Sequence, residues 1–248
     1  MTRNNFIKLS SLAGIGLAVF PHLSFNNFSE EFSRNQLLGK GNPDIVGDSY
    51  TSKMHKITKE AFDKMKVEAA KDNIKIEVVS AYRSFQRQKE IFERKYKNFT
   101  SGGLSPQNAL EKIIEYSTIP GTSRHHWGTD LDIIDANVSR PADVLLPRNF
   151  HGSGSFCRLK MWLDENSEKF GFFEVYTDNG NRKGFKYEPW HFSYAPVSIP
   201  MLKSYQKNID VKKMLLEEKI LGGEHFSEEF INRYINENIL DINPALLP

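Results

Sequence analysis

His125, Asp132, Glu188 and His191 carry side chains that could work together on one metal ion. They lie in two short runs, Ser123-Arg124-His125-His126-Trp127-Gly128-Thr129-Asp130-Leu131-Asp132 and Glu188-Pro189-Trp190-His191. Two imidazoles and one carboxylate make a three-ligand set that leaves a fourth zinc position open for water. A further carboxylate, Glu188, stands three residues before the last histidine and could take that water's proton. Catalytic zinc sites have this make-up, whereas structural ones close all four positions, usually with cysteine. The residues therefore imply a hydrolase with Zn2+ as cofactor, its ligands His125, Asp132 and His191.

Such a set needs elements to bring it together. His125 precedes a glycine turn at Gly128, and Asp132 lies on the strand expected over Thr129 to Ile134. There Leu131 and Ile133 alternate with Asp130 and Asp132, so the apolar pair enters the core and the aspartates face a cleft. His191 belongs to a distant alternating run, Trp190 to Tyr194, and an ion would tie two parts of the sheet together. Asp130 shares the face of Asp132 and competes with it as a ligand; His126 competes with His125. The reading favours both as surface groups or as partners that orient an imidazole by hydrogen bonding. Glu188 is the candidate general base. Strand parity would set it opposite His191, but Pro189 breaks the ladder and lets the chain aim both at one cleft.

A third run, Ser80-Ala81-Tyr82-Arg83-Ser84-Phe85-Gln86-Arg87-Gln88, joins a strand to a helix. The rigid, permanently charged fork of Arg83 suits a carboxylate or the oxyanion of a tetrahedral intermediate. Ser84 is placed to cap the helix, and Gln88, one turn on, points back towards the junction. The three runs together resemble the VanY-type D-alanyl-D-alanine carboxypeptidases of the M15 metallopeptidase family, in the D-Ala-D-Ala peptidase/hedgehog-like zinc fold. The resemblance is carried by Tyr82-Arg83-Ser84 with Gln88, then Ser123, His125, Gly128 and Asp132, then Glu188, Trp190 and His191. It spans about Met54 to Tyr194. It implies zinc held by His125, Asp132 and His191, Glu188 as base, and Arg83 on the oxyanion or terminal carboxylate. Ser123, Gln88 and Ser84 are the substrate-binding residues expected with it, and peptidoglycan stem peptides the partner. Two positions depart from the family pattern: Ala81 stands where glycine is commoner, and Asp130 where a small or apolar residue is usual.

The rest of the chain is read by pattern. Helices are expected from Thr58 to Lys71, Ser84 to Lys97, Ser105-Pro106 to Tyr116 and Leu159 to Phe170. A half-buried strand follows from the alternation of Ile74, Ile76 and Val78, and another from Phe172 to Tyr176. Asp178-Asn179-Gly180-Asn181 has the chemistry of a hairpin turn. Beyond Pro200 the chain turns helical, with an amphipathic stripe from Ser227 to Ile239. The fold class expected is α+β: a small antiparallel sheet carrying a zinc cleft, flanked by helices, with extra C-terminal helices. Four stretches are expected: an export signal or N-terminal anchor over 1–25, a loop-like lead-in over 26–55, the peptidase domain over 56–200, and a helical extension over 201–248.

Composition sets the outer bounds. An apolar fraction of 39% with 12% aromatic residues supports a sizeable core. A net charge of +2 with interspersed signs gives no footprint for nucleic acid. Cys157 is the single cysteine, which excludes an internal disulfide framework and a cysteine-based zinc site, and it is expected to be buried as a small hydrophobe. Arg3 and Lys8 precede a dozen apolar residues from Leu9 to Phe20, the layout of a secretory signal and short for a membrane span. Asn4 stands where a twin-arginine signal has its second arginine. The expected product is exported to the periplasm or cell exterior and acts as a monomer. Membrane contact is expected only through an uncleaved N-terminal segment.

Overall fold

The computed structural model describes residues 32–248; the expected export segment and the first part of the lead-in lie outside them. Among the described residues the chain forms eight α-helices and two small antiparallel sheets. The helices are α1 (Arg34–Leu37), α2 (Lys56–Lys71), α3 (Phe85–Ser101), α4 (Pro106–Ile113), α5 (Cys157–Asn166), α6 (Ala195–Asn208), α7 (Val211–Glu217) and α8 (Glu228–Tyr234). A two-stranded ribbon pairs β1 (Ile45–Val46) with β2 (Met54–His55). The main sheet has the order β3-β4-β6-β5, from β3 (Ile76–Ser80), β4 (Asp130–Asp135), β5 (Phe172–Glu174) and β6 (His191–Tyr194).

The alternation along β4 is resolved as the period-two pattern requires. Leu131 and Ile133 are buried in an apolar cluster with Phe192 of β6, Phe62 and Met65 of α2, and Leu159, Trp162 and Leu163 of α5. A second cluster joins Phe92 and Tyr96 of α3, Leu110 and Ile113 of α4, Met201 and Tyr205 of α6, Met214 of α7 and Tyr234 of α8. In α3 the expected face of Phe85, Gln88, Phe92 and Tyr96 is the buried one. Among the described residues no helix is long and apolar enough to cross a membrane.

Register decides where the chemistry falls. Asp132 lies directly opposite His191 on one side and opposite Ser80 on the other, so one rung across three strands holds all three. Two residues away, Asp130 faces Ser193. Side chains of such opposed pairs sit about 5 Å apart on one face of the sheet.

Several elements differ from expectation. Part of the lead-in is built rather than loose: Leu37 and Leu38 are core residues, and the Trp127 indole donates to the Leu37 carbonyl at 3.1 Å. The amide of His55 donates to the Gly128 carbonyl, and that of Tyr82 to the Lys53 carbonyl. Gly128 has φ +72°, and a Cβ there would lie 2.4 Å from Ile45 Cδ1, so only glycine fits against the ribbon. β5 and β6 pair, but no return strand follows the Asp178–Asn181 turn; a long loop connects them. α6 starts at Ala195, before Pro200, and carries that proline in its interior. α4 ends at Ile113, short of Tyr116. The stripe from Ser227 to Ile239 is α8, capped by Ser227, followed by a π-turn over Ile235–Ile239. Cys157 opens α5 half-buried, not fully enclosed.

Candidate metal centre

The ligand atoms of His125, Asp132 and His191 all lie within 4.8 Å of one another, and all three residues are buried. The register places Asp132 beside His191. His125 arrives on a single 3-10 turn, Arg124–Trp127, that stops at the left-handed Gly128. Its Nδ1 sits 2.8 Å from the Ala81 carbonyl, and donation there leaves Nε2 bare and 3.5 Å from Asp132 Oδ2. Ala81 thus contributes its backbone, which a glycine would supply equally. Burial, then the charges of Arg83 and His191, hold His125 well below the ordinary histidine range, so the ring is neutral as a metal ligand must be.

His191 is fixed at both nitrogens. Nε2 lies 2.9 Å from Asp130 Oδ2, while Nδ1 faces Glu188 Oε2 at 3.0 Å and Asp132 Oδ1 at 3.5 Å. Burial alone would lower this ring, but the hydrogen bonds that it donates to Asp130 and Glu188 raise it to about 10. Burial, reinforced by the charge of Glu188, raises Asp132 to about 6. Asp132 and Glu188 therefore crowd one point beside His191 Nδ1 and call for positive charge there, from a proton or from a cation. Asp132 Oδ1 is buried with no hydrogen-bond partner. An orphaned carboxylate oxygen, a neutral imidazole with a bare nitrogen and a second imidazole facing the same point form a donor set that fits a divalent zinc ion.

Asp130, weighed from sequence as a rival ligand, turns away from that point. It accepts from Arg124 Nε at 3.0 Å, Ser193 Oγ at 2.6 Å and Thr129 Oγ1 at 2.9 Å, besides holding His191 Nε2. Burial would raise its carboxyl, but Arg124 and His191 hold it well below the usual range. A carboxylate–imidazole pair of this kind fixes the tautomer and turns the other nitrogen, here Nδ1, towards Asp132 and Glu188, where a metal ion would be held. His126 is excluded as a ligand: its Nδ1 meets the Arg83 carbonyl at 2.6 Å and its Nε2 accepts from the Gly121 amide.

Glu188 reaches the centre through a tight turn in which its carbonyl accepts from the His191 amide at 3.0 Å. This turn, which contains Pro189, overrides strand parity. Arg83 lines the same cleft, tethered through Nη1 to Gln88 Oε1 at 2.7 Å and through Nη2 to Ser80 Oγ at 2.9 Å. Its Nε is buried without a partner, as is the hydroxyl of Ser123, which also lines the cleft.

Two expected substrate-binding residues are placed elsewhere. Gln88 is fully buried and acts through Arg83, donating in turn to the Thr118 carbonyl. The Ser84 hydroxyl caps α3 by accepting from the Arg87 amide, and Ser84 lines a different surface depression. Sequence reasoning passed over Lys95, Tyr176 and Arg124, which line the cleft of about 340 Å³. Arg124 had a signal in its place between Ser123 and His125; Tyr176, edge-on to His191 with centroids 4.9 Å apart, had none.

Residues 51–197 match the family model described as VanY, D-alanyl-D-alanine carboxypeptidase. The chain belongs to the VanY family. It is 31% identical over 143 residues to a D-alanyl-D-alanine carboxypeptidase of Enterococcus faecalis, a match that covers 57% of this chain and 48%, about half, of that protein. The solved structure of VanYB in complex with D-Alanine-D-Alanine aligns with TM-score 0.51 and 25% identity, over 73% of this chain and 92% of that one. A VanY D,D-pentapeptidase variant in complex with Zn(II) shares the fold at TM-score 0.50 and 24% identity, over 70% of this chain and 90% of that one. The VanY match ends at Val197, so most of α6 and all of α7 and α8 lie beyond it.

Proposed function

We propose that this chain is an exported zinc peptidase that removes the terminal D-alanine from peptidoglycan stem peptides. The convergence of His125, Asp132 and His191 on one point, with Glu188 beside it in a cleft that also holds Arg83, carries the reading. Zinc, when bound there, supplies Lewis-acid polarisation of the scissile carbonyl and of water. Glu188 accepts the proton of the attacking water at Oε2 and returns it to the departing amine. Arg83, prealigned by Gln88 and Ser80, receives the substrate's terminal carboxylate or the developing oxyanion. The unpartnered Ser123 hydroxyl offers a further hydrogen bond to the same ligand. Asp130 and Arg124 hold His191 in place and keep its reactive nitrogen aimed inward. Family membership supports the bond type, and the N-terminal layout of charge and apolar residues supports export.

Defined muropeptides ending in D-Ala-D-Ala, incubated with the metal-loaded protein and analysed by mass, test this. Release of one alanine, abolished by chelation and lowered about 10²–10⁴-fold by Glu188→Gln, is the expected result. Cleavage within cross-links, or of a tetrapeptide only, would instead assign endopeptidase or L,D-carboxypeptidase activity. Full activity of the Glu188→Gln protein would remove the base assignment.

A further inference from the structure

The cleft holds more positive charge than the reaction just described requires. Of its three strong cations, Arg124 is neutralised by the buried Asp130. Arg83 gives its Nη donors to the neutral partners Gln88 and Ser80, so no carboxylate offsets it. Lys95, on α3, lines the same cleft, and no hydrogen bond or ion pair reaches its ammonium group among the described residues. Burial, followed by the charge of Arg83, lowers the Lys95 ammonium, with Glu188 opposing. Two half-buried cations therefore face one space with no acid of their own between them. The acids of the cleft, Asp132 and Glu188, are committed to the metal centre.

The helix fixes the spacing. Gln88, Ile91 and Lys95 fall at i, i+3 and i+7, one stripe of α3. Gln88 grips Arg83 at one end of this stripe, and Lys95 stands about two turns further on, roughly 10 Å along the axis. That rise corresponds to about two or three residues of extended peptide. Ile91 lies between them on the stripe, and Leu145 and Leu146 add apolar lining to the cleft.

Resting on the reading of this cleft as a peptidase site, we propose that Lys95 is a specificity residue for a second carboxylate of the peptide. That carboxylate is carried on a side group two or three residues before the terminus that Arg83 receives. The ligand class is a peptide with an acidic residue upstream of the scissile bond, bound by a charge-assisted hydrogen bond from Lys95 Nζ.

The test uses matched peptides that end in D-Ala-D-Ala and differ only in whether this upstream side carboxylate is free or amidated. A third peptide carries the free side group but a terminal carboxamide. The wild-type protein is expected to prefer the free side carboxylate about tenfold in kcat/KM, through KM, the size of one charge-assisted contact. Lys95→Met should bring this ratio to about one, and Lys95→Arg should retain most of it. Dissociation constants of the same peptides on the zinc-loaded Glu188→Ala protein give the ratio without turnover. If the wild type shows no preference, or Lys95→Met keeps it, the assignment is overturned. A loss confined to discrimination between terminal acid and carboxamide also overturns it, since Lys95 would then serve the terminus. Preferential binding of the free-acid peptide with no cleavage of any peptide would sink the peptidase reading and leave the subsite standing. Failure of every peptide to bind would remove both.

Discussion

At the scale of single residues, the departure at Asp130 has the clearest consequence. Its carboxylate is fully enclosed, accepts from Arg124, Ser193 and Thr129, and fixes His191 through Nε2. Arg124 is itself buried and rests over the Trp127 ring at 5.0 Å. An enclosed ion pair of this kind contributes little net stability while intact, yet breaking it by removing one charge costs about 3–5 kcal/mol. Asp130→Asn keeps the shape and an acceptor oxygen but leaves Arg124 uncompensated. It is expected to lower the melting temperature and to weaken zinc binding about 10–100-fold, the range for loss of a group that orients a ligating histidine. Competition with a chromophoric chelator measures the second effect independently of turnover. Unchanged zinc affinity would reduce Asp130 to a structural ion pair.

At the scale of elements, the C-terminal helices brace the wall that carries Ser123. The Tyr234 hydroxyl of α8 accepts from the Ile119 amide at 3.0 Å and lies 2.7 Å from Thr122 Oγ1. Tyr205 of α6 donates to the Gly121 carbonyl at 2.9 Å, and Met214 of α7 packs against Gly121 so closely that a Cβ there would clash. Tyr234→Phe deletes one oxygen and strands a buried amide, a cost of about 1–3 kcal/mol. For a chain of this length that is a fall of several degrees in melting temperature. Because the braced segment runs straight into Ser123, KM for a cleavable peptide should rise as well; a melting shift with KM unaltered would separate the brace from the site. The amphipathic stripe announced α8, since Phe230, Ile231 and Tyr234 repeat at helical spacing. It could not announce the partner, because periodicity identifies a buried face and not what covers it. The same limit hid the clamp of the lead-in on Trp127 and Gly128, a contact between segments about 90 residues apart. What local pattern does encode was legible: the alternation of β4, the buried face of α3, the capping serines, and the three runs that meet at the metal centre. Spacing placed Ser84 at the cap and turned Gln88 back towards the junction, where both are found. Their expected contact with substrate came with the family resemblance and not from spacing, which fixes direction only to within a turn. Their hydrogen bonds to Arg83 and to the helix end show where each side chain goes.

At the scale of the whole molecule, a nearly neutral chain concentrates three carboxylates, Asp130, Asp132 and Glu188, around one imidazole inside a buried pocket. The 3-10 turn and two strands of the sheet meet there, so an ion at this point would cross-link His125 and Asp132 to His191, about 60 residues further along the chain. Zinc binding to the native state alone raises stability by about 2.7 kcal/mol when free zinc stands at a hundred times its dissociation constant. Chelation should therefore lower the melting temperature by several degrees. The sign of the pH dependence follows from the groups displaced. His191, raised to about 10 by Asp130 and Glu188 against the pull of burial, carries a proton at neutral pH that zinc must expel. Affinity should then climb about tenfold per pH unit between pH 7 and 9, as one proton leaves for each ion bound. Below pH 6 the slope should steepen towards two protons, because Asp132, raised to about 6 by burial, is then protonated as well. Calorimetric titrations in buffers of different ionisation enthalpy count these protons directly. An affinity that stays level across this range would mean that His191 is already neutral before the ion arrives, and that Asp130 steers the ring without charging it.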